Sequence, residues 1–287
     1  MNLQLFVNGL VNASLIAPPA IAFTLLFGVL RFPNFAIGGY ITVGAFMAYT
    51  ANVIFAWPLV AATLFAMAVT ALVVWLSDVV VFAPLRNQEP VTLLVVSIAF
   101  SLILENLVRL FFASDVRGFD IPLERPIKVM GARITPEQLD ILMLAFAITV
   151  AVHVVLRFTR FGKAMRAVAD NPVLAQVRGL SLRWITAGTC ALAGAIFGLT
   201  GVFAGLDLVI EPLIGWNLTI PIFAAAILGG IGSPMGALVG AICVGMAEEL
   251  TILVLPSTYK IAVGFLIIAV FLLLRPQGLF GQPEIKK

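Results

Sequence analysis

Three stretches of this chain carry no charged side chain at all: Met1–Leu30, Phe32–Ser77 and Pro212–Ala247. Each is longer than the roughly 20 residues that an α-helix needs to cross a hydrocarbon core. A backbone in lipid must satisfy its own N–H and C=O groups, so only helices and closed barrels can span. The apolar runs are continuous and do not alternate in ~10-residue units, which excludes a β-barrel. The chain therefore reads as an all-α, polytopic membrane helix bundle. Its 287 residues are 62% hydrophobic and 11% charged, against about 25% charged in a soluble domain. The start of the chain has no basic region and no small-residue cleavage site, so it is expected to be the first crossing and not a secretory signal. Cys190 and Cys243 lie inside apolar runs and predict no disulfide framework. No basic stripe interleaved with aromatics appears, so no nucleic-acid partner is expected.

Breaks in hydropathy predict crossings near residues 8–30, 35–55, 58–82, 91–113, 138–157, 184–206, 217–232, 236–255 and 258–274. This gives about 8–9 transmembrane helices in one domain covering residues 1–287. Short loops rich in Lys and Arg stay cytoplasmic. The basic segment Arg157–Arg183 holds Arg157, Arg160, Lys163, Arg166, Arg178 and Arg183 against one acid, Asp170. Placing it inside also puts Arg31, Arg86, Arg275, Lys286 and Lys287 inside, with the N-terminus outside and the C-terminus in the cytoplasm. The run 217–232 is short and contains Pro221, which suits a re-entrant segment. Re-entry would carry Lys286 and Lys287 outside, so a crossing is expected. The outer segment Ser114–Glu137 mixes Asp115, Arg117, Asp120, Glu124, Arg125 and Lys128 with Pro122, Pro126 and Pro136. It suits a solvated connector or a surface for another protein.

Gly194, Gly198, Gly201 and Gly205 share one helix face, and Gly232, Gly236 and Gly240 repeat at four. Small residues at such spacing let helices approach closely in lipid; bundle packing, a subunit interface and a pore-lining face are all open. Two segments interrupt their helices. Arg31–Tyr40 places Pro33, Asn34, Gly38 and Gly39 at the start of the second span, where an irregular backbone suits a cavity for a polar solute. Asn34, Gly38, Gly39 and Tyr40 are the candidate substrate-path residues there. Leu228–Gly236 reads as a tight turn with Pro234 at the first helical position.

Charges within spans are sparse. Glu105 and Arg109 are spaced i, i+4 and predict a local ion pair. Asp78 is expected among headgroups at a helix end, and Glu248 and Glu249 sit late in a span. His153 is the lone histidine and predicts no metal site. Nothing performs chemistry: Gly162-Lys163 is followed by Ala164 and lacks the upstream glycine of a nucleotide-binding loop. The chain is expected to be no enzyme and to carry no cofactor. Transport is then passive, driven by an ion gradient, or powered by another chain.

The basic segment bears on that choice. Phe161–Ala169 and Val173–Arg178 are predicted as short helices, with Asn171 as N-cap, Pro172 at the first helical position and Gly179 as the stop. Ala164, Met165, Ala167, Val168, Leu174 and Val177 give this element an apolar side. It suits either a protein groove or anchoring at the headgroups.

The segment Arg160-Phe-Gly-Lys-Ala-Met-Arg-Ala-Val-Ala-Asp-Asn-Pro-Val-Leu-Ala-Gln-Val-Arg-Gly179 resembles the cytoplasmic coupling loop of permeases of the branched-chain amino-acid ABC importer family. Similar resemblances lie in Phe27–Arg31 running into Asn34–Gly38, in Pro84–Arg86, in Ile227–Ala237 with Glu248, and in Arg275–Phe280. They extend over nearly the whole chain. One departure stands out: Ile37 occupies the family's histidine position, and Gly39 follows where polar residues are frequent. The solute class implied therefore includes amides, urea and aromatic amino acids beside leucine-type solutes. The resemblance implies a permease subunit in the bacterial inner membrane. Its partners would be a second homologous permease, two cytoplasmic ATP-binding subunits and a periplasmic solute-binding protein. It adds Glu248 to the substrate path. It also assigns Gly162, Lys163, Met165, Arg166, Asn171, Ala175 and Gly179 to the loop that meets the ATPase. A secondary transporter or channel is the alternative, and the sparse intramembrane acids count against it.

Overall fold

The computed structural model describes residues 2–121, 125–129, 132–253, 256, 259–274 and 278–280. Helix α1 (Asn2–Leu30) begins six residues earlier than hydropathy predicts and contains Pro18 and Pro19. Helix α2 (Ile37–Tyr49) runs into a π-helical turn, Thr50–Ile54. Helix α3 (Leu59–Ser77) runs into a second, Asp78–Phe82, and then into α4 (Ala83–Leu85). The second π-turn has a local cause. Pro84 has no N–H for the ladder, and just before it the Ala83 N–H reaches back five residues to the Asp78 carbonyl.

Helix α5 (Pro90–Phe112) and helix α6 (Pro136–Phe158) flank the segment expected outside. That segment contains a hairpin that the sequence did not suggest, with β1 (Ile127–Val129) and β2 (Ala132–Ile134) antiparallel and Ile127 opposite Ile134. Pro122 and Glu124 of the same segment lie outside the described residues. Helices α7 (Arg160–Asp170), α8 (Pro172–Val177), α9 (Leu182–Asp207), α10 (Ile214–Gly229), α11 (Pro234–Thr251) and α12 (Lys260–Leu274) follow. Among the described residues seven helices are long and apolar enough to cross a membrane, and two shorter apolar ones lie at Ile214–Gly229 and Ala262–Phe271. An apolar helix thus lies at each of the nine predicted positions, and seven of the nine are long enough to cross. Arg275, Lys286 and Lys287, which the charge bias placed inside, lie outside the described residues.

The chain forms two compact units, one of residues 1–24, 122–151 and 220–287, the other of residues 25–121 and 152–219. In the second unit α2 is the buried centre, packed by α3, α5 and α9. The glycine face of α9 makes this possible. A Cβ on Gly198 would lie 2.8 Å from the Ala66 carbonyl of α3, and one on Gly194 would lie 2.6 Å from the Ala71 Cα. Gly201 lies against the Ile41–Ala45 backbone of α2. Of the three uses open to this glycine face, internal packing is the one observed.

In the first unit α11 approaches the early part of α1, where Gly245 meets Ala13. It also lies against the end of α10, where Gly236 meets Gly229 and Gly240 meets Ala225. Gly232 does not belong to this packing face. It precedes α11 with φ +90° and has no neighbour where a side chain would project, because the Gly230–Ser233 turn needs left-handed backbone there. Ser233 caps α11 by accepting from the Gly236 N–H, with Pro234 at the first position, as predicted. The chain's last described residues return to this turn: Leu279 and Phe280 donate N–H bonds to the Leu228 and Gly229 carbonyls at 2.8 and 3.0 Å.

Candidate functional site

Helix α1 ends when the Arg31 N–H bonds the Phe27 carbonyl and Arg31 turns left-handed at φ +60°. The chain then runs irregularly to Ile37. Asn34 is buried and shapes this break, its Oδ1 accepting from the Ala36 N–H at 2.9 Å. An α-helix leaves its first four N–H groups without internal partners, and Ala36 provides no side-chain cap for α2. One cap comes from α5 instead: Ser101 Oγ accepts from the Gly39 N–H, and Ser97 Oγ accepts from the Phe35 N–H just ahead of the helix, both at 2.9 Å.

Gly38 and Gly39 are close-approach points. A Cβ on Gly38 would lie 2.6 Å from Thr219 Oγ1, and one on Gly39 would lie 3.1 Å from the Ser101 Cα. Tyr40 is fully buried, its hydroxyl bonded to Ser77 Oγ at 2.6 Å and its ring stacked 6.0 Å from Phe197. These four predicted substrate-path residues thus form one contiguous, packed break. Glu248 belongs to the other unit. It is buried, with Oε2 accepting from Asn12 Nδ2 at 2.8 Å and Oε1 without a hydrogen-bond partner among the described residues. Its neighbour Glu249 pairs with Lys260.

Ser77, Ser97 and Ser101 were missed by sequence reasoning. A signal was present: Ser97, Ser101, Glu105 and Arg109 recur every four residues on a mostly apolar α5, which marks one face. Glu105 and Arg109 form the expected ion pair, at 2.6 Å. Asp78 departs from expectation. It is not set among headgroups but buried, 2.6 Å from Arg86 Nη2, and held by both carboxylate oxygens.

The two-helix loop follows the predicted capping closely. Asn171 caps α8 through its Oδ1 and the Leu174 N–H, and Gly179 at φ +83° ends the element, while Thr159, which the sequence did not single out, caps α7. Its apolar side, however, splits in two. Gly162, Met165, Val168 and Ala175 are buried against the protein, and Gly162 sits directly on the Val155–Leu156 backbone. Val173, Leu174 and Val177 are exposed, Val173 at 69% and Val177 at 79%. Lys163, Arg166 and Asn171 are exposed as well. Beside α8 opens a cavity of about 1010 Å³ whose lining includes Trp75, Asp78, Arg86, Gln176, Arg183 and Trp184. Two connections are also joined: half-buried Arg117 pairs with buried Ile210 through backbone bonds of 2.9 and 3.0 Å.

A bundle of apolar helices, a span broken at its start and a capped two-helix loop define the membrane subunit of a transport system. The chain belongs to the family described as branched-chain amino acid transport system permease component, whose profile matches residues 5–273. It is 31% identical to the high-affinity branched-chain amino acid transport system permease protein LivH of Salmonella typhimurium, covering 99% of this chain and 97% of that protein. The same transport protein from Escherichia coli K12 is 32% identical over the same shares. BraD of Pseudomonas aeruginosa, also a branched-chain amino acid permease protein, is 31% identical. Among solved structures, PsaBC from Streptococcus pneumoniae in complex with a Fab matches with a TM-score of 0.50 at 10% identity, covering 95% of this chain and 92% of that one. An inward-facing metal-chelate type ABC transporter matches with a TM-score of 0.50 at 17% identity, covering 96% and 86%. At those identities the likeness is one of fold.

Proposed function

We propose that this chain is the membrane-spanning subunit of an ATP-driven importer for branched-chain amino acids or related small polar solutes. The observation that carries the reading is the α7–α8 loop, rigidly capped at both helices and presenting Val173, Leu174 and Val177 outward. Three exposed apolar side chains on one short helix suit a groove in a soluble partner. In this reading the partner is a cytoplasmic ATP-binding subunit, one for each of two permease chains. Lys163, Arg166 and Asn171 lie on the rim of that contact. Met165 and Ala175 act from beneath by fixing the loop to the bundle.

Closure of the ATPases on ATP would move the loop and, with it, the helices around the Asn34–Tyr40 break. The few charges in the spans suit a zwitterionic or neutral solute. Asn34, Gly38, Gly39 and Tyr40 border its path, and Glu248 is assigned to it by the family resemblance alone. The joined segments around Arg117 and Ile210 face the periplasm, where a solute-binding protein delivers its load. The N-terminus is then outside and the C-terminus in the cytoplasm, and residues 1–287 act as one permease domain beside a second homologous permease. Ile37, in place of the family's histidine, points to solutes beyond leucine.

The test is reconstitution. Proteoliposomes holding the permease pair should take up solute only when the ATP-binding subunits and ATP are present. Uptake driven by an ion gradient without those subunits overturns the proposal.

A further inference from the structure

The Arg31 guanidinium reaches the far end of the two-helix loop: its Nη2 donates to the Ala169 carbonyl at 3.1 Å and to the Asp170 carbonyl at 3.2 Å. Those carbonyls close α7, where the helix leaves its last acceptors unmatched and its dipole is negative. Asn171 is already extended and Pro172 has no N–H to offer them. Gly28, one turn earlier on α1, brings the two helix ends into contact, since a Cβ there would lie 3.6 Å from the Ala169 Cβ. A non-glycine residue at φ +60° persists only where its surroundings over-determine it.

The residues after Arg31 are held as firmly on their other side. Phe32 is buried with its ring 5.3 Å from that of Phe82, at the end of the π-turn that begins with Asp78. Phe35 and Gly39 are bonded to Ser97 and Ser101, and Tyr40 to Ser77. Between Arg31 and Tyr40 the chain passes from a bond on the α7 end to four anchors, one on the π-turn, one on α3 and two on α5. Arg31 itself is exposed and has no acidic partner among the described residues, so the bundle does not need it as a buried counter-ion.

We infer that Arg31 is a positioning residue that latches the α7–α8 loop to the α1–α2 break, so that displacement of the loop is passed to the start of α2. This rests on the coupling-loop reading above. Without the latch, the loop still docks and hydrolysis still proceeds, but movement of α2 no longer follows.

The test uses the full transporter complex in proteoliposomes with Arg31→Gly and Arg31→Lys. Glycine accepts φ +60° without strain, so Arg31→Gly removes the guanidinium while leaving the backbone turn available. The expected result is ATPase binding and hydrolysis near wild type, with solute uptake per ATP reduced about tenfold, the effect of losing charge-assisted hydrogen bonds. Arg31→Lys keeps the charge and one donating nitrogen on a shorter side chain, and should recover part of the ratio. Spin labels at Val177→Cys and Pro33→Cys should keep one narrow distance through the ATP cycle in wild type and a broadened one in Arg31→Gly. An unchanged uptake-to-hydrolysis ratio in Arg31→Gly overturns the latch alone. A fall in uptake matched by an equal fall in hydrolysis or in thermal unfolding temperature also overturns it, since Arg31 would then be a structural cap. Wild-type permease that neither binds the ATP-binding subunits nor needs ATP overturns both readings together.

Discussion

Gly44 of α2 and Gly198 of α9 meet backbone to backbone: a Cβ on Gly44 would lie 2.6 Å from the Gly198 Cα and 2.8 Å from its carbonyl oxygen. No flexible side chain stands between them that could move aside. The contact therefore sets how closely the two most buried helices of this unit approach.

Gly44→Val should accordingly destabilise the folded permease by about 1–3 kcal/mol, the usual cost of overpacking, seen as a lower unfolding midpoint in detergent. Gly118 has no atom within 4 Å of a would-be Cβ. Gly118→Ala is expected to stay within about 0.5 kcal/mol of wild type. Equal midpoints for Gly44→Val and wild type would refute the close-approach argument.

The Asp78–Arg86 pair should respond asymmetrically. The Asp78 side chain is 7% exposed and that of Arg86 35%. Arg86→Ala strands a buried carboxylate and should cost about 3 kcal/mol or more. Asp78→Asn leaves an arginine that reaches water, so the loss should be smaller. Asp78→Asn combined with Arg86→Ala should be more stable than Arg86→Ala alone. Thermal unfolding of the three variants checks the order.

On the loop, Ala175→Glu and Val177→Glu separate folding from docking. Ala175 is 4% exposed, so a glutamate there is buried without a partner and should lower the unfolding temperature. Val177→Glu should leave that temperature unchanged and weaken capture of the ATP-binding subunits. If Val177→Glu permease pulls them down as well as wild type does, the exposed face of α8 is not the docking surface.

Ser101→Ala removes the acceptor for the Gly39 N–H, a buried donor. Leaving it unpaired should cost about 1–3 kcal/mol. Hydrogen exchange should show the Gly39 amide losing protection while amides in the middle of α2 keep theirs. Loss of protection along the whole of α2 would mean that Ser101 supports the helix rather than its first turn.

These contacts divide into those readable along the chain and those that were not. The crossings followed from uncharged runs, because lipid forbids unpaired backbone over the width of a membrane. The loop caps at Asn171 and Gly179 and the Ser233–Pro234 start of α11 were equally legible. Each is a bond between residues three or four apart, or a φ that glycine takes easily, and depends on little outside its own turn. Ser97 and Ser101 left a trace in their four-residue spacing, yet that spacing names a face and not its partner.

The sequence by itself thus determined a helical membrane permease, its crossings and its capped loop. Tertiary structure decided the rest. Which helix the α9 glycines approach, why α2 starts without a cap of its own, and where Asp78 and Arg31 find partners all depend on groups placed by other helices. Asp78 reads as a headgroup residue until the π-turn and Pro84 bring Arg86 back over it. Arg31 reads as one more inside charge until a left-handed turn aims it at the end of α7. Such bonds join residues up to 236 positions apart, and local spacing carries no information about them.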